Sequence, residues 1–356
     1  MSKKKLFLVS LLAPLFLTGC WDKKDPEDRA YIMTLGIDHT ENGMRITFAP
    51  ANTGEGEEET YTTESQTLAG AVAQVDVQMS RKTDLGQLKT VILSGEFLKE
   101  RQKLEGVLQE MERNQAVSGK VMLLATKDKA EDCVKAVMKA DSGTGMFLWD
   151  FYKNTAREVA VTKGIDLDTF LTERVKQEGN GVLPRISVRE EALELGGGMV
   201  IAGDRVYVLS DREERGYLFL LGEAEGALLE GEYEGERIPL EIGKTKVKYD
   251  FSMEGEEVIC TIILPVEGAL QGGRGLFLSA EKQREIEKVF EDLIREEVEN
   301  TIRVSKRAEK DLFGILPRMI QQEPKLAEGI SREALWKMLR FEIYPKVELK
   351  DMGRKR

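Results

Sequence analysis

Between 281 and 312 the residues Ile286, Val289, Phe290, Leu293, Ile294, Val298, Ile302, Ser305, Ala308 and Leu312 recur at intervals of three and four. That period places them on one side of a single long helix, and the other side is nearly all Glu, Lys and Arg. At 1.5 Å per residue such a helix is roughly 45 Å long, longer than a small domain is wide. The fold must supply an apolar surface to match it. A stripe of this kind packs on a partner or on the chain's own sheet; the second is the expectation here.

The remaining elements say what sheet that could be. The stretches 30–36 and 44–49 read as strands around Glu41-Asn42-Gly43, a hairpin signal. A helix is expected from Ser65 to about 79, with Leu68, Val72, Val75 and Met79 on one stripe. Strands over 89–93 and 120–125 flank a helix over 96–113, and Asp128 opens a helix that turns Cys133, Val134, Val137 and Met138 inward. Further helices are expected over 146–159 and 166–177. Strands alternating with helices imply a sheet covered by helices.

Glu178-Gly179-Asn180-Gly181 and Pro184 then break the pattern. Strands are expected at 198–202 and 205–209 around Gly203-Asp204, at 216–221, and as a hairpin at 246–251 and 258–264. The stretch 228–242 reads as linker plus an edge strand. A short helix around 331–340 and a strand near 343–349 close the chain. The expected fold class is α+β, in three mixed domains that each pair a β-sheet with packed helices. Residues 1–19 form a signal peptide, 20–185 an N-terminal α/β domain, 186–230 a small β-rich middle domain, and 231–356 an α+β domain with the long helix.

Composition narrows the chemistry. Fifty-two Lys and Arg against 63 Asp and Glu leave a net charge of −11, which argues against binding a nucleic-acid backbone. One histidine, His39, and three cysteines exclude His-rich metal sites and dense disulfide frameworks. Gly243-Lys244-Thr245 lacks the earlier glycine of a phosphate loop, since Ile238 stands there, and Gly272-Gly273-Arg274-Gly275 lacks dinucleotide-loop spacing. His39 beside Asp38 reads as a turn or surface histidine, and Trp149 and Trp336 as core. The acidic stretch 54–60 reads as a solvated loop. Cys133 and Cys260 fall in different expected domains and read as buried free thiols. No catalytic residue, cofactor site or metal site is assigned.

The first twenty residues point to a compartment. Lys3, Lys4 and Lys5 precede an apolar run over 6–17, the length of a signal peptide and too short to span a bilayer. Leu17-Thr18-Gly19-Cys20 has the form of a lipobox, which makes Cys20 the expected lipidation site of an exported, membrane-tethered protein.

Several motifs then line up in order along the chain. They are Cys20-Trp21-Asp22, Gly36-Ile37-Asp38, the run from Gly86 through Leu88-Lys89-Thr90-Val91-Ile92-Leu93 to Glu96, the strand ending at Ala125, Gly198 to Gly203, and Asp311-Leu312-Phe313-Gly314 before Pro324-Lys325-Leu326. In these the sequence resembles the Ger(x)C family, the lipoprotein C subunits of spore germinant receptors. It departs at Ile315-Leu316, where many members repeat Phe-Gly. The resemblance implies a non-enzymatic receptor subunit, lipid-anchored through Cys20 on the outer face of the spore inner membrane. Its implied partners are an A-type and a B-type integral membrane subunit, with which it triggers germination in response to nutrients. A solute-binding lipoprotein outside the cytoplasm is the alternative, though it needs two similar lobes around a cleft.

Overall fold

The computed structural model describes residues 28–51, 60–140, 145–155, 159–160, 162, 164–190, 192–271 and 279–350. Cys20, the acidic residues at 55–59, Gly272-Gly273-Arg274-Gly275 and the Arg354-Lys355-Arg356 end lie outside them.

The first sheet grows from β1 (Arg29–Thr40) and β2 (Gly43–Pro50), an antiparallel hairpin turning at Glu41-Asn42. After β3 (Tyr61–Ser65), Thr67 rather than Ser65 caps α1 (Leu68–Val75), its hydroxyl accepting from Gly70 N. The strands β4 (Lys82–Asp84) and β5 (Thr90–Ser94) lead into α2 (Gly95–Lys99) and α3 (Arg101–Arg113), which replace the single helix expected over 96–113. The break is at Glu100, whose backbone leaves the helical region at φ −83°, ψ 73°. Then come β6 (Met122–Thr126), α4 (Ala130–Ala140) and α5 (Phe147–Asp150), the last running into a π-helical turn, Phe151–Thr155. Trp149 there is only half-buried, with Lys153 Nζ 4.1 Å from its ring centre, so it is not core as expected. The rest of this body is β7 (Ile165–Asp166), α6 (Leu167–Lys176), β8 (Gly181–Arg189), β9 (Ala192–Ala202) and β10 (Arg205–Val208).

Ten strands make this sheet, in the order β10-β9-β8-β6-β5-β1-β2-β3, with β4 beside β1 and β7 beside β6. Its centre is parallel, β1 to β5 to β6 to β8, and hairpins close both ends. Central parallel strands are covered on both faces and read as continuous apolar runs. Accordingly every residue of β5 and β6 is buried. Val91, Leu93 and Leu123 face the core under α1, α3 and α6, while Ile92 and Leu124 face the core under α4.

The strands placed by sequence in a middle unit are hydrogen-bonded into this sheet through β8, up to Val208. The strand expected at 216–221 is instead the second half of a helix, α7 (Asp211–Leu221). Ser210 and Glu213 form a reciprocal capping box at its start, and Gly222 in the left-handed region ends it.

The second sheet holds β11 (Leu228–Tyr233), β12 (Glu236–Thr245), β13 (Lys248–Glu254), β14 (Glu257–Leu270) and β15 (Leu339–Leu349). The region read as linker plus edge strand is therefore a hairpin. β14 is central: β12 and β13 pair with its two halves on one edge, and β15 runs parallel along the other. The long helix is α8 (Ala280–Arg307), capped by Ser279 and five residues shorter at its C-terminal end than the periodicity suggests. It buries Ile286, Phe290, Ile294, Val298 and Ile302 in the core of this sheet. Each such side chain contributes about 1.5–3 kcal/mol relative to exposure. After it come α9 (Ile315–Gln322), a 3-10 turn (Pro324–Ala327) and α10 (Arg332–Met338), where Trp336 is buried as expected. The mixed sheets, packed helices and long C-terminal helix agree with the α+β expectation.

α8 also protects an edge. β15 would otherwise present unpaired backbone groups, a template for adding further strands. Side chains of the helix take that place: Glu291 accepts from Val347 N (3.3 Å), Glu287 accepts from Leu349 N (3.1 Å), and Arg295 Nε donates to Ile343 O (3.1 Å).

Candidate coupling site at the junction of the two sheets

The sequence motifs first account for local packing. At Gly36 a Cβ would lie 2.8 Å from Val134 and 3.0 Å from Ala130 O, so glycine is what lets α4 approach β1. Two residues on, the Asp38 carboxylate accepts from Ala130 N (2.8 Å) and Glu131 N (3.0 Å), fixing the start of that helix. His39 is partly exposed, beside Lys103 Nζ at 3.4 Å and Glu100 at 4.0 Å. Asp38 is occupied by backbone, so these residues do not assemble a Ser/His/Asp site. Cys133 and Cys260 are buried free thiols in separate cores, as expected. Burial pushes their pKa up, to about 11 and about 12, which keeps both as unreactive thiols. Among the described residues no group of three or more His, Cys, Asp or Glu could hold a metal.

The motif that does reach a junction is Asp311-Leu312-Phe313-Gly314. It turns the chain from α8 into α9, and Gly314 takes the left-handed conformation that this turn needs, φ +71°. Asp311 accepts from Phe313 N (3.2 Å) and Leu316 N (2.7 Å), holding the first turn of α9. Ser305 Oγ donates to Lys310 O (2.5 Å) and accepts from Leu312 N (2.9 Å), which closes the end of α8. Burial raises the pKa of Asp311, and the backbone N–H groups around it act the other way. The turn sets the Phe313 ring 5.3 Å from Tyr217 of α7 and brings Gly314 against Gln177 at the end of α6.

α7 is the strut between the sheets. Glu214, buried, accepts from Thr162 N (2.6 Å), Thr162 Oγ1 (2.5 Å) and Gly197 N (2.7 Å), all on the first body. Its neighbour Arg215 turns the opposite way, gripping both oxygens of Glu297 in α8. Burial raises the Glu297 pKa, and Arg215 opposes the rise. Gly216 makes that crossing possible: a Cβ there would lie 2.3 Å from Glu297 O and 2.2 Å from Thr301 Oγ1. Thr301 Oγ1 donates to Glu213 O (2.7 Å) across the same contact. At the far end of α7, Tyr249 OH (2.6 Å) and Arg318 Nη1 (3.2 Å) both donate to Leu220 O. A further tie joins the bodies directly, Arg332 Nη1 to Lys176 O at 2.7 Å, with Glu178 3.7 Å from the same guanidinium.

These ties border two cavities between the bodies, one of about 600 Å³ reached by Lys176, Tyr207, Lys310 and Trp336, the other of about 460 Å³ reached by Phe170, Tyr217 and Phe313. The arrangement ties the two sheets together through α7, α8 and the 311–314 turn. Sequence reading singled out Asp311 to Gly314 but missed α7. The signal was there, in Ser210 followed three residues later by Glu213.

Comparison with known proteins gives a consistent result. A family model described as "Spore germination protein N-terminal domain" matches residues 22–188, and one described as "Spore germination B3/ GerAC like, C-terminal" matches residues 196–353. Spore germination protein KC of Bacillus subtilis (strain 168) is 26% identical over 151 residues, 38% of this chain and 37% of that protein. The candidate spore germination protein YfkR of the same organism is 19% identical over 99% of this chain and 98% of its own length. The crystal structure of the GerBC protein shares the fold, with a TM-score of 0.58 over 89% of this chain and 97% of that one, at 16% identity.

Proposed function

The chain belongs to the spore germination GerAC-like family, and from that premise we propose that it is the lipid-anchored C subunit of a spore germinant receptor. The observation that carries this reading is the succession of two family matches, over 22–188 and 196–353, directly behind the lipobox-type Cys20. On this reading residues 1–19 are removed at export and Cys20 receives a diacylglycerol and a further acyl chain of the palmitate class. A single chain anchors only marginally, and several hold firmly. The body then sits on the outer face of the spore inner membrane. Without Lys3, Lys4 and Lys5 its net charge is −14, against −11 for the full chain, which disfavours contact with anionic lipid except at the anchor.

Tethering raises the local concentration of the body at the membrane, so modest interfaces suffice to engage an A-type and a B-type integral membrane subunit. Its part in the nutrient response is mechanical rather than catalytic. Glu214, the Arg215–Glu297 pair and Thr301 join α7 to both bodies, so a displacement imposed on one body is passed to the other. Metabolic labelling with an alkyne-tagged fatty acid tests the anchor. The full chain should be labelled and membrane-bound, and the Cys20→Ala variant unlabelled and released. A labelled, membrane-bound Cys20→Ala protein would overturn it.

A further inference from the structure

A lipid on Cys20 limits how the body can face the bilayer, through the length of chain that joins them. Arg29, the first residue of β1, stands nine residues after Cys20. Even fully extended, that link reaches about 32 Å at most. β1 is 12 residues long and carries its other end, Thr40, about 36 Å from Arg29, with the Glu41-Asn42 turn beyond it. The body therefore cannot stand on its Thr40 end while Cys20 remains in the membrane. The end where β1 begins is within reach.

Three connections share that end, because β4 and β5 run parallel to β1, and β6 parallel to β5. They are 76–81 into β4, 85–89 into β5 and 114–121 into β6. Lys82 lies directly opposite Arg29, and a Cβ on Gly86 would lie 3.8 Å from Ala116 O, so the three are neighbours.

Their charge is opposite to that of the whole chain. In these segments Arg29, Arg81, Lys82, Lys89 and Lys120 stand against Asp76 and Asp84, on a chain of net charge −11. Both acids are occupied by protein groups. Asp76 accepts from Thr83 N (2.8 Å), and Asp84 accepts from Gly86 N (2.7 Å) and grips Arg29. Lys120 is held by Asp166 at 3.0 Å, while Arg81 and Lys82 are exposed. Four residues before Arg81, Val77 is 86% exposed, more than any other large apolar side chain among the described residues. An apolar tip beside basic side chains matches a headgroup layer, with acyl chains beneath it and phosphates at its surface. The link itself, with Asp22, Asp25, Glu27 and Asp28 against Lys23 and Lys24, is acidic and leaves that contact to the loops.

We propose that the body stands on the bilayer by this end of its first sheet, with Val77 in the headgroup layer and Arg81 and Lys82 on anionic phosphates. The orientation rests on the lipid anchor at Cys20 and adds which surface meets the lipid. β1, β5 and β6 then point away from the membrane.

Spin labels read this in the full-length lipidated chain, reconstituted into vesicles of phosphatidylcholine and phosphatidylglycerol. One label is placed on Val77→Cys and one on Glu41→Cys, both exposed positions, while the buried Cys133 and Cys260 stay unlabelled. Collision with oxygen, which concentrates in lipid, is compared with collision with a water-soluble nickel chelate. The label at 77 should favour oxygen and the label at 41 the chelate. Arg81→Glu with Lys82→Glu, or vesicles without phosphatidylglycerol, should return the label at 77 to the value found at 41. A label at 77 as water-exposed as the one at 41, or lipid contact at 41, overturns the orientation. So does lipid contact at 77 that neither the charge reversal nor the neutral vesicles weaken. Mass spectrometry of the same sample separates the two readings. A lipidated chain with position 77 in water removes this orientation alone, and a chain without lipid on Cys20 removes the anchor as well.

Discussion

Glu214 and Arg215 are adjacent in sequence and reach to opposite bodies, one into the first sheet and the other into α8. Removing the Glu214 carboxylate leaves the N–H groups of Thr162 and Gly197 buried without an acceptor. Each costs about 1–3 kcal/mol. Glu214→Ala should therefore lower unfolding free energy by about 2–5 kcal/mol in urea titrations, against about 0.5 kcal/mol or less for an exposed control such as Glu256→Ala. The thiols give a second expectation at this scale. With pKa pushed up to about 11 and about 12 by burial, Cys133 and Cys260 should resist a thiol reagent at pH 8 until the chain is unfolded. Rapid labelling of the native protein would contradict their placement in the two cores.

At the scale of elements, the contact between α7 and α8 depends on Gly216. Gly216→Ala puts a methyl against the Glu297 carbonyl, and the helices must part. Overpacking of this kind costs about 1–3 kcal/mol, although alanine is the better helix former by about 1 kcal/mol. A thermal melt should show net loss of stability; a gain would mean that the helices are further apart. The edge cap on β15 gives a pH signature. Burial acts to raise the Glu287 pKa, but the Leu349 N–H, Gln283 and Arg284 outweigh it and leave it lowered. A lowered carboxylate stabilises above its unfolded pKa, about 4.3, and that contribution is lost as pH falls through the folded value. The stability difference between the native chain and Glu287→Gln should accordingly be largest near neutrality and shrink below about pH 4. An equal difference at both ends would contradict the cap.

These two contacts also show what the sequence made legible. α8 was readable because its period repeats over many turns and owes nothing to distant residues. α7 was signalled only at its start, by Ser210 and Glu213, while its second half reads as a strand; the tertiary partners of Glu214, Arg215 and Gly216 make it a strut. The break at Glu100 and the π-helical turn at Phe151–Thr155 likewise leave no mark on the spacing of apolar residues in the sequence.

At the scale of the whole molecule, the junction joins the two sheets through shared packing and hydrogen bonds. The strands β8 to β10 belong to the first sheet by hydrogen bonding, yet Val182, Val200 and Ala202 pack into the core of the second. A single cooperative unfolding transition is expected for this reason, and weakening the junction by Glu214→Ala together with Arg332→Ala should separate it into two. Of the functional site, only the Asp311 to Gly314 turn was visible beforehand, because the rest comes from segments more than a hundred residues apart, such as Gln177 and Trp336. The central claim joins this unit to a membrane through Cys20 and to the nutrient response. It is tested most directly by spores whose sole copy of the protein carries Cys20→Ala, followed for nutrient-triggered loss of optical density. The account predicts a fall in germination rate of at least about tenfold (~1.4 kcal/mol on a rate), with the protein absent from the membrane fraction. A normal nutrient response from spores in which the variant is shown to be released from the membrane would contradict it.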